Sequence, residues 1–237
     1  MNDEKCPFLE VTTVTFCKAY PVKKMIPLDK SSSTKGVCTS ENYRACPAFR
    51  EIEAHNSDAE HVRGFVLKSG YYFHPKHVWL TPSEECDGEF RAGIDDFSQK
   101  VIGPIDGVSL PPEGSAVKEN NVCLLLHSGK RTARMVAPSD GIIQTVNPRI
   151  GADPKILNRD PYTEGWIFSM HLAGEGLRRL FHGSVARKWL DCEVERLQRM
   201  FSSDLGLTAT DGGESLPDIS VRLNEAQWSR VVSLFLG

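Results

Sequence analysis

The chain has 237 residues, 40% hydrophobic and 25% charged, with a formal net charge of −3. That balance is ordinary for a globular protein and gives no support to the basic footprint of a nucleic-acid binder. The longest apolar runs, such as the closing VVSLFLG, are too short to span a bilayer, and the acidic start MNDEKCPFLE lacks the apolar stretch of a signal peptide. A cytoplasmic protein with no membrane partner is expected.

Residues 1–64 form a cysteine-rich module broken by Pro7, Pro21, Pro27 and Pro47. Four of the seven cysteines fall here, at Cys6, Cys17, Cys38 and Cys46, while Cys86, Cys123 and Cys192 are scattered. An odd total without a secretion signal argues for thiols or a metal site over a disulfide framework. Four thiolates are what a closed zinc site or an iron–sulfur cluster needs, and the Cys-Pro steps in CPF and CPA lean towards iron–sulfur. A metal would also supply folding free energy to a segment poor in periodic apolar residues. Against it, the gaps of ten, twenty and seven residues contain no Cys-x-x-Cys pair, and four ordinary reduced thiols are the alternative. CPAFREIEAHNSDAEHVRG, at 46–64, reads as a short helix ending near Gly64.

Residues 65–172 read as mainly β. HVWLT (77–81) and EFRAGI (89–94) are two strands around the turn CDG. DDFSQKVIG (95–103) is one short helix, with an acidic N-cap, apolar Phe97, Val101 and Ile102, and a terminating Gly103. GVSLP (107–111), VCLLLH (122–127), TARMVA (132–137), GIIQTVN (141–147) and GWIFSMHL (165–172) add strands, separated by dense turn signals. Many short strands with frequent turns favour a small barrel or sandwich. His77 and Trp79 read as core anchors; His74 and His171 as hydrogen-bonded side chains, with metal binding the alternative.

Residues 173–237 form a helical tail. Leu177, Leu180, Phe181, Val185, Trp189 and Leu190 recur at helical spacing, and NEAQWSRVVSLFL opens a final helix on an Asn cap. Packing on the β core or on a second copy is the expected role, and a dedicated partner-binding helix the alternative.

Within LLLHSGKRTARMVAP (124–138), Lys130 falls near the tip of a strand–turn–strand unit, after Gly129 and flanked by Arg131 and Arg134. Taken alone, such a lysine solvates a loop. A Schiff-base lysine would need a dry pocket, which a hairpin tip does not offer.

Other residues give this lysine its context. HVWL, the run AGIDDFSQKVIGPIDGVSLP, Gly114 sixteen residues before Lys130, Pro138, Gly141 eleven residues after Lys130, and LNRDPYTEGWIF follow one another in order. Over 71–172 this pattern resembles the H protein of the glycine cleavage system, a lipoyl carrier. The resemblance implies a lipoyl-like barrel-sandwich core with helical extensions, α+β overall. It implies lipoate joined by an amide to Lys130, and a carrier without catalysis of its own. That carrier passes an aminomethyl group between glycine decarboxylase and aminomethyltransferase, with dihydrolipoyl dehydrogenase and a lipoate-attaching enzyme as further partners. Acylation would remove the ammonium charge, and the dithiolane would supply a two-electron disulfide couple. Asp160, Pro161, Tyr162 and Gly165 would form an ordering turn. The segment departs from the family at His127-Ser128-Gly129-Lys130-Arg131 and at Arg134, where the family has small and acidic residues, so the rim is basic. A non-lipoylated adaptor or redox-linked scaffold of the same fold is the alternative function.

Overall fold

The structure, a computed structural model, describes residues 59–203 and 219–237 together with two short strands, β1 (Thr15–Cys17) and β2 (Lys24–Ile26). The chain divides into two compact units, Met1–Asp58 and Ala59–Gly237. In the first, β1 and β2 pair antiparallel with Thr15 opposite Ile26. Of the four N-terminal cysteines only the backbone of Cys17 is described; Cys6, Cys38 and Cys46 lie outside the described residues.

The second unit opens with a hairpin, β3 (Ala59–Val62) and β4 (Phe65–Lys68). Here the short helix expected to end near Gly64 is corrected over its described residues, which are extended. The turn residues Arg63 and Gly64 have φ of 46° and 85°, the two positive values of a type I′ hairpin turn. Val62, Phe65 and Leu67 are buried across this turn, and that packing outweighs the helical spacing of the polar residues. Residues 46–58 of the expected helix lie outside the described residues.

Next come β5 (Tyr72–Phe73), β6 (Val78–Pro82), β7 (Glu89–Ile94) and α1 (Asp96–Ile102). They are followed by β8 (Gly107–Ser109), β9 (Ala116–Val117), β10 (Val122–Ser128), β11 (Arg131–Val136) and β12 (Gly141–Val146). Two short helices, α2 (Pro148–Ala152) and α3 (Ile156–Arg159), lead to β13 (Trp166–Leu172) and β14 (Phe181–His182). The chain closes with α4 (Gly183–Ser203), a 3₁₀ turn (Ile219–Arg222) and α5 (Glu225–Phe235).

Seven of these strands form one antiparallel sheet in the order β14–β5–β6–β7–β13–β12–β9, and β11–β10–β8 form a second. Leu80, Ile94, Phe168 and Met170 from the first sheet and Leu126 and Met135 from the second belong to one buried core. This is the barrel-sandwich arrangement with helical extensions. Trp79 is fully buried and donates its indole N–H to the Ile94 carbonyl at 2.8 Å and the Pro161 carbonyl at 3.2 Å, which ties β6 to the Asp160–Gly165 turn.

Helix α1 starts and stops where its sequence directs. The Asp95 carboxylate accepts the Ser98 N–H at 2.8 Å, and the Gly103 N–H returns to the Gln99 carbonyl at 3.0 Å. In the tail, helical spacing from Leu177 onward gives a helix only from Gly183, a second correction. Phe181 instead stands opposite Phe73 in the edge pair of the large sheet and stacks on Trp189 at 5.2 Å, so sheet completion outweighs local periodicity. Along α4, Ala186, Leu190, Val194, Leu197 and Phe201 are buried, a stripe at helical spacing. No helix among the described residues is long and apolar enough to cross a membrane.

Candidate functional site

After a register shift at Cys123, strands β10 and β11 pair residue for residue from Leu124 opposite Met135 to Ser128 opposite Arg131, leaving Gly129 and Lys130 as a two-residue turn. Gly129 has φ of 60° and Lys130 does not take a positive φ, the pattern of a type II′ turn, which needs glycine at its first central position. A Cβ at Gly129 would meet nothing within 4 Å, so backbone conformation and not space selects glycine here.

The turn is held from below and from one side. Leu124, Leu126, Ala133 and Met135 are buried beneath it. On the side of β8, the Asp106 N–H donates to the His127 carbonyl at 2.9 Å while the Asp106 carboxylate accepts the Gly129 N–H at 2.8 Å. Asp106 thus fixes the residue before the lysine through a contact 23 residues away in sequence, which local pattern does not signal. Lys130 itself is exposed and makes no hydrogen bond or ion pair among the described residues. Its ammonium projects from a rigid base into solvent, open to acylation at Nζ. A long acyl arm attached there meets no wall, so the site fits a covalently carried group.

The basic rim expected around this lysine is only partly free. His127 shares hydrogen bonds with Ser109 Oγ (3.1 Å) and Thr132 Oγ1 (3.2 Å). Arg131 turns away from the tip: its Nη atoms donate to the Ser220 and Leu223 carbonyls at 3.0 and 2.7 Å, and its Nε to Glu225 at 3.2 Å. Its guanidinium also lies 5.3 Å over the Trp228 ring. Arg134 alone of the three is exposed without an ion pair among the described residues. Ser220, Leu223, Glu225 and Trp228 had no signal in sequence as neighbours of the lysine, since contacts across about ninety residues are invisible to local pattern.

Elsewhere the expected anchors hold. His77 is buried against Phe97 at 3.9 Å, with Nδ1 2.7 Å from Asp95, and Nε2 lies 3.8 Å from Glu193 on α4, beyond hydrogen-bond reach. Burial favours the neutral ring, but Asp95 and Glu193 outweigh it and raise the pKa of His77 above its ordinary value. His74 is buried with Nδ1 accepting the Lys76 N–H at 3.1 Å, and His171 bonds the Gly88 carbonyl at 3.1 Å. Among the described residues no group of three or more His, Cys, Asp or Glu side chains could hold a metal.

Comparison with known proteins gives this geometry a context. The sequence model of the family described as Glycine cleavage H-protein matches residues 71–191. A glycine cleavage system H protein of Enterobacter sp. (strain 638) is 36% identical over 100 residues, 42% of this chain and 76% of that protein. A probable glycine cleavage system H protein of Aeropyrum pernix is 41% identical over 105 residues, 43% of this chain and 73% of that one. The crystal structure of a glycine cleavage system H protein from Mycobacterium marinum aligns with a TM-score of 0.47 at 25% identity, covering 54% of this chain and 98% of that chain. The matched residues are those that build the two sheets, helix α1 and the Lys130 hairpin, and by them the chain belongs to the glycine cleavage H-protein family.

Proposed function

We propose that the chain is a lipoyl carrier of the glycine cleavage type, with lipoate joined by an amide to Lys130 Nζ. The observation that supports this reading is the position of Lys130: exposed, unpaired among the described residues, and alone at the tip of a hairpin whose register leaves two residues in the turn. When bound, lipoate supplies a disulfide couple that takes up a one-carbon amine fragment as it is reduced. The chain's own residues bind and present. Gly129 sets the turn, Asp106 fixes it, and the buried Leu126 and Met135 hold it to the core. Glycine decarboxylase, aminomethyltransferase and dihydrolipoyl dehydrogenase are the successive partners on this reading.

Intact mass of the chain isolated from its host, compared with Lys130→Ala, tests the proposal. A lipoyl mass increment lost in the variant is expected, and an unmodified wild-type mass from a lipoate-replete host overturns it. For the first unit the reading extends to a four-thiolate metal centre, iron–sulfur before zinc, on Cys6, Cys17, Cys38 and Cys46; its support is the number of thiols alone. Metal analysis and a visible spectrum after anaerobic purification test it, and a colourless, metal-free protein ends it.

A further inference from the structure

Among the described residues, His77 Nε2 is the buried side-chain polar atom left without a hydrogen-bond partner. Such an atom is costly and calls for a reason. The residue that carries it is held from several sides. Its backbone takes a φ of 60°, in the left-handed region. Its N–H donates to the His74 carbonyl at 2.9 Å, and its carbonyl accepts the Asp95 N–H at 3.2 Å and the Ser98 hydroxyl at 2.9 Å. Nδ1 stands 2.7 Å from the Asp95 carboxylate, and the ring packs on Phe97 at 3.9 Å and on Trp189 at 4.8 Å. Clamped in this way, the ring cannot retreat from what faces Nε2.

That group is Glu193 on α4, 3.8 Å away. An ionised carboxylate only accepts, so Asp95 keeps a proton on Nδ1 in either state of the ring. A neutral ring then turns a bare lone pair toward the Glu193 carboxylate, whereas a charged ring turns an N–H. The first arrangement repels and the second attracts, both strengthened by burial. Two aromatic faces also favour the cation. Behind Glu193, Arg196 of the same helix stands 3.5 Å off and competes for the carboxylate. On the ring's own loop, His74 is pushed down to about 4, chiefly by burial, and stays neutral, while Lys76 reaches away to the Gly237 carbonyl. In keeping with this balance, the pKa of His77 lies above its ordinary value.

Glu193 is tied to the rest of the tail. Arg196 carries its guanidinium 4.9 Å over the Phe235 ring of α5, and Phe235 packs on Phe97 at 5.3 Å. A closed circuit thus runs from His77 through both tail helices and back. Glu193, Arg196 and Phe235 all lie beyond residue 191, where the family match ends. Just before α5, the Ser220 and Leu223 carbonyls hold Arg131, the residue after Lys130. We propose that His77 is a proton-operated latch for the tail: its charged ring draws in Glu193 and seats α4 and α5, and loss of the Nε2 proton loosens both helices beside the Lys130 hairpin. The latch is closed below the ordinary histidine value of about 6.5 and opens as pH rises through the folded value. It stands without lipoate, and only its bearing on the acylated arm rests on the carrier reading.

The test uses the full chain. Hydrogen exchange, corrected for the intrinsic rate at each pH, is followed from pH of about 6 to about 9 alongside the His77 ring shifts by NMR. Protection of the α4 and α5 peptides should fall about tenfold, one unit of linkage, across the midpoint at which His77 loses its proton, while β13 keeps its protection. Glu193→Gln, whose amide can donate to the neutral Nε2, should hold both helices seated at high pH and remove the pH dependence. An equal pH response in wild type and Glu193→Gln would overturn the latch. If that variant does not fold, the wild type decides alone: tail protection that is flat through the ring's midpoint, or that breaks at another pH, overturns the latch. Intact mass of the same samples separates the two readings, since a chain without a lipoyl increment overturns the carrier reading and leaves a latch seen by exchange standing.

Discussion

The close approach of Gly103 to Ser220 offers a quantitative test of how residues 219–237 are attached. Gly103 ends α1 with φ 91° and ψ −158°, a region that side chains essentially never occupy. A Cβ there would lie 2.2 Å from Ser220 Oγ and 2.7 Å from Ser220 Cβ. Gly103→Ala thus incurs two costs. The backbone strain, about 1–3 kcal/mol, belongs to position 103 alone. The clash, about 1–3 kcal/mol for an overpacked buried contact, is shared with position 220. Ser220→Gly removes both clashing atoms at a cost of about 1 kcal/mol in chain entropy and lost packing. Urea denaturation of the two single variants and the double variant should give about 4 kcal/mol for Gly103→Ala. It should also give a favourable coupling of about 1–3 kcal/mol in the double variant, because the clash disappears while the strain remains. Hydrogen exchange should show the α5 amides losing protection first in Gly103→Ala, since a displaced Ser220 carries with it a carbonyl that holds Arg131. Strictly additive variants would show that residues 103 and 220 do not touch.

Three further predictions concern titrating groups. Burial, followed by Lys76 and His77, pushes His74 down from 6.5 to about 4. Its contribution to stability is then complete above its unfolded pKa and is lost as pH falls through the folded value, about 3 kcal/mol over that gap. His77 has the opposite sign: with its pKa raised by Asp95 and Glu193 against burial, its contribution is complete below pH of about 6.5 and fades as pH rises through the folded value. Arg196, 3.5 Å from Glu193, competes for the same carboxylate. Denaturation midpoints across pH should show His74→Asn flattening the acid limb and Glu193→Gln reducing the alkaline loss; an unchanged acid limb in His74→Asn would count against the assignment. The Cys123 thiol is pushed up to about 12 by burial, whereas Cys86 and Cys192 are exposed. Iodoacetamide near neutral pH should label the exposed pair at least about tenfold faster, read by peptide mapping, and equal labelling would contradict the burial.

Where local chemistry decided the outcome, the fold was legible from residues alone. Asp95 and Gly103 bracket α1, Asn224 opens α5, and the Gly129–Lys130 turn lies between the two apolar strands that announce it. Two elements were misread because long-range pairing overrode local spacing. Ala59–Val62 carries helix-compatible residues but pairs with Phe65–Lys68, and Phe181 fits a helical stripe but completes a sheet edge. At the site, the lysine and its turn were legible, whereas the fate of Arg131 was not. Its charge reads as rim in the sequence, and only the fold delivers two carbonyls, a carboxylate and an indole from residues 220–228 to neutralise it.

The pairing of β10 with β11 also fixes the place of the exposed amine by position rather than by wording. One residue earlier, a lysine would have to occupy the left-handed slot of Gly129; one residue later, it would stand at the first rung of the ladder, facing the carbonyls that now hold Arg131. Neither neighbour can present a free amine at the tip. The address of the Lys130 amine is therefore set by connectivity: the ladder above the last rung has a single seat from which a side chain leaves the surface. Letters around that seat can change, as His127 and Arg131 do here, without moving the amine they surround.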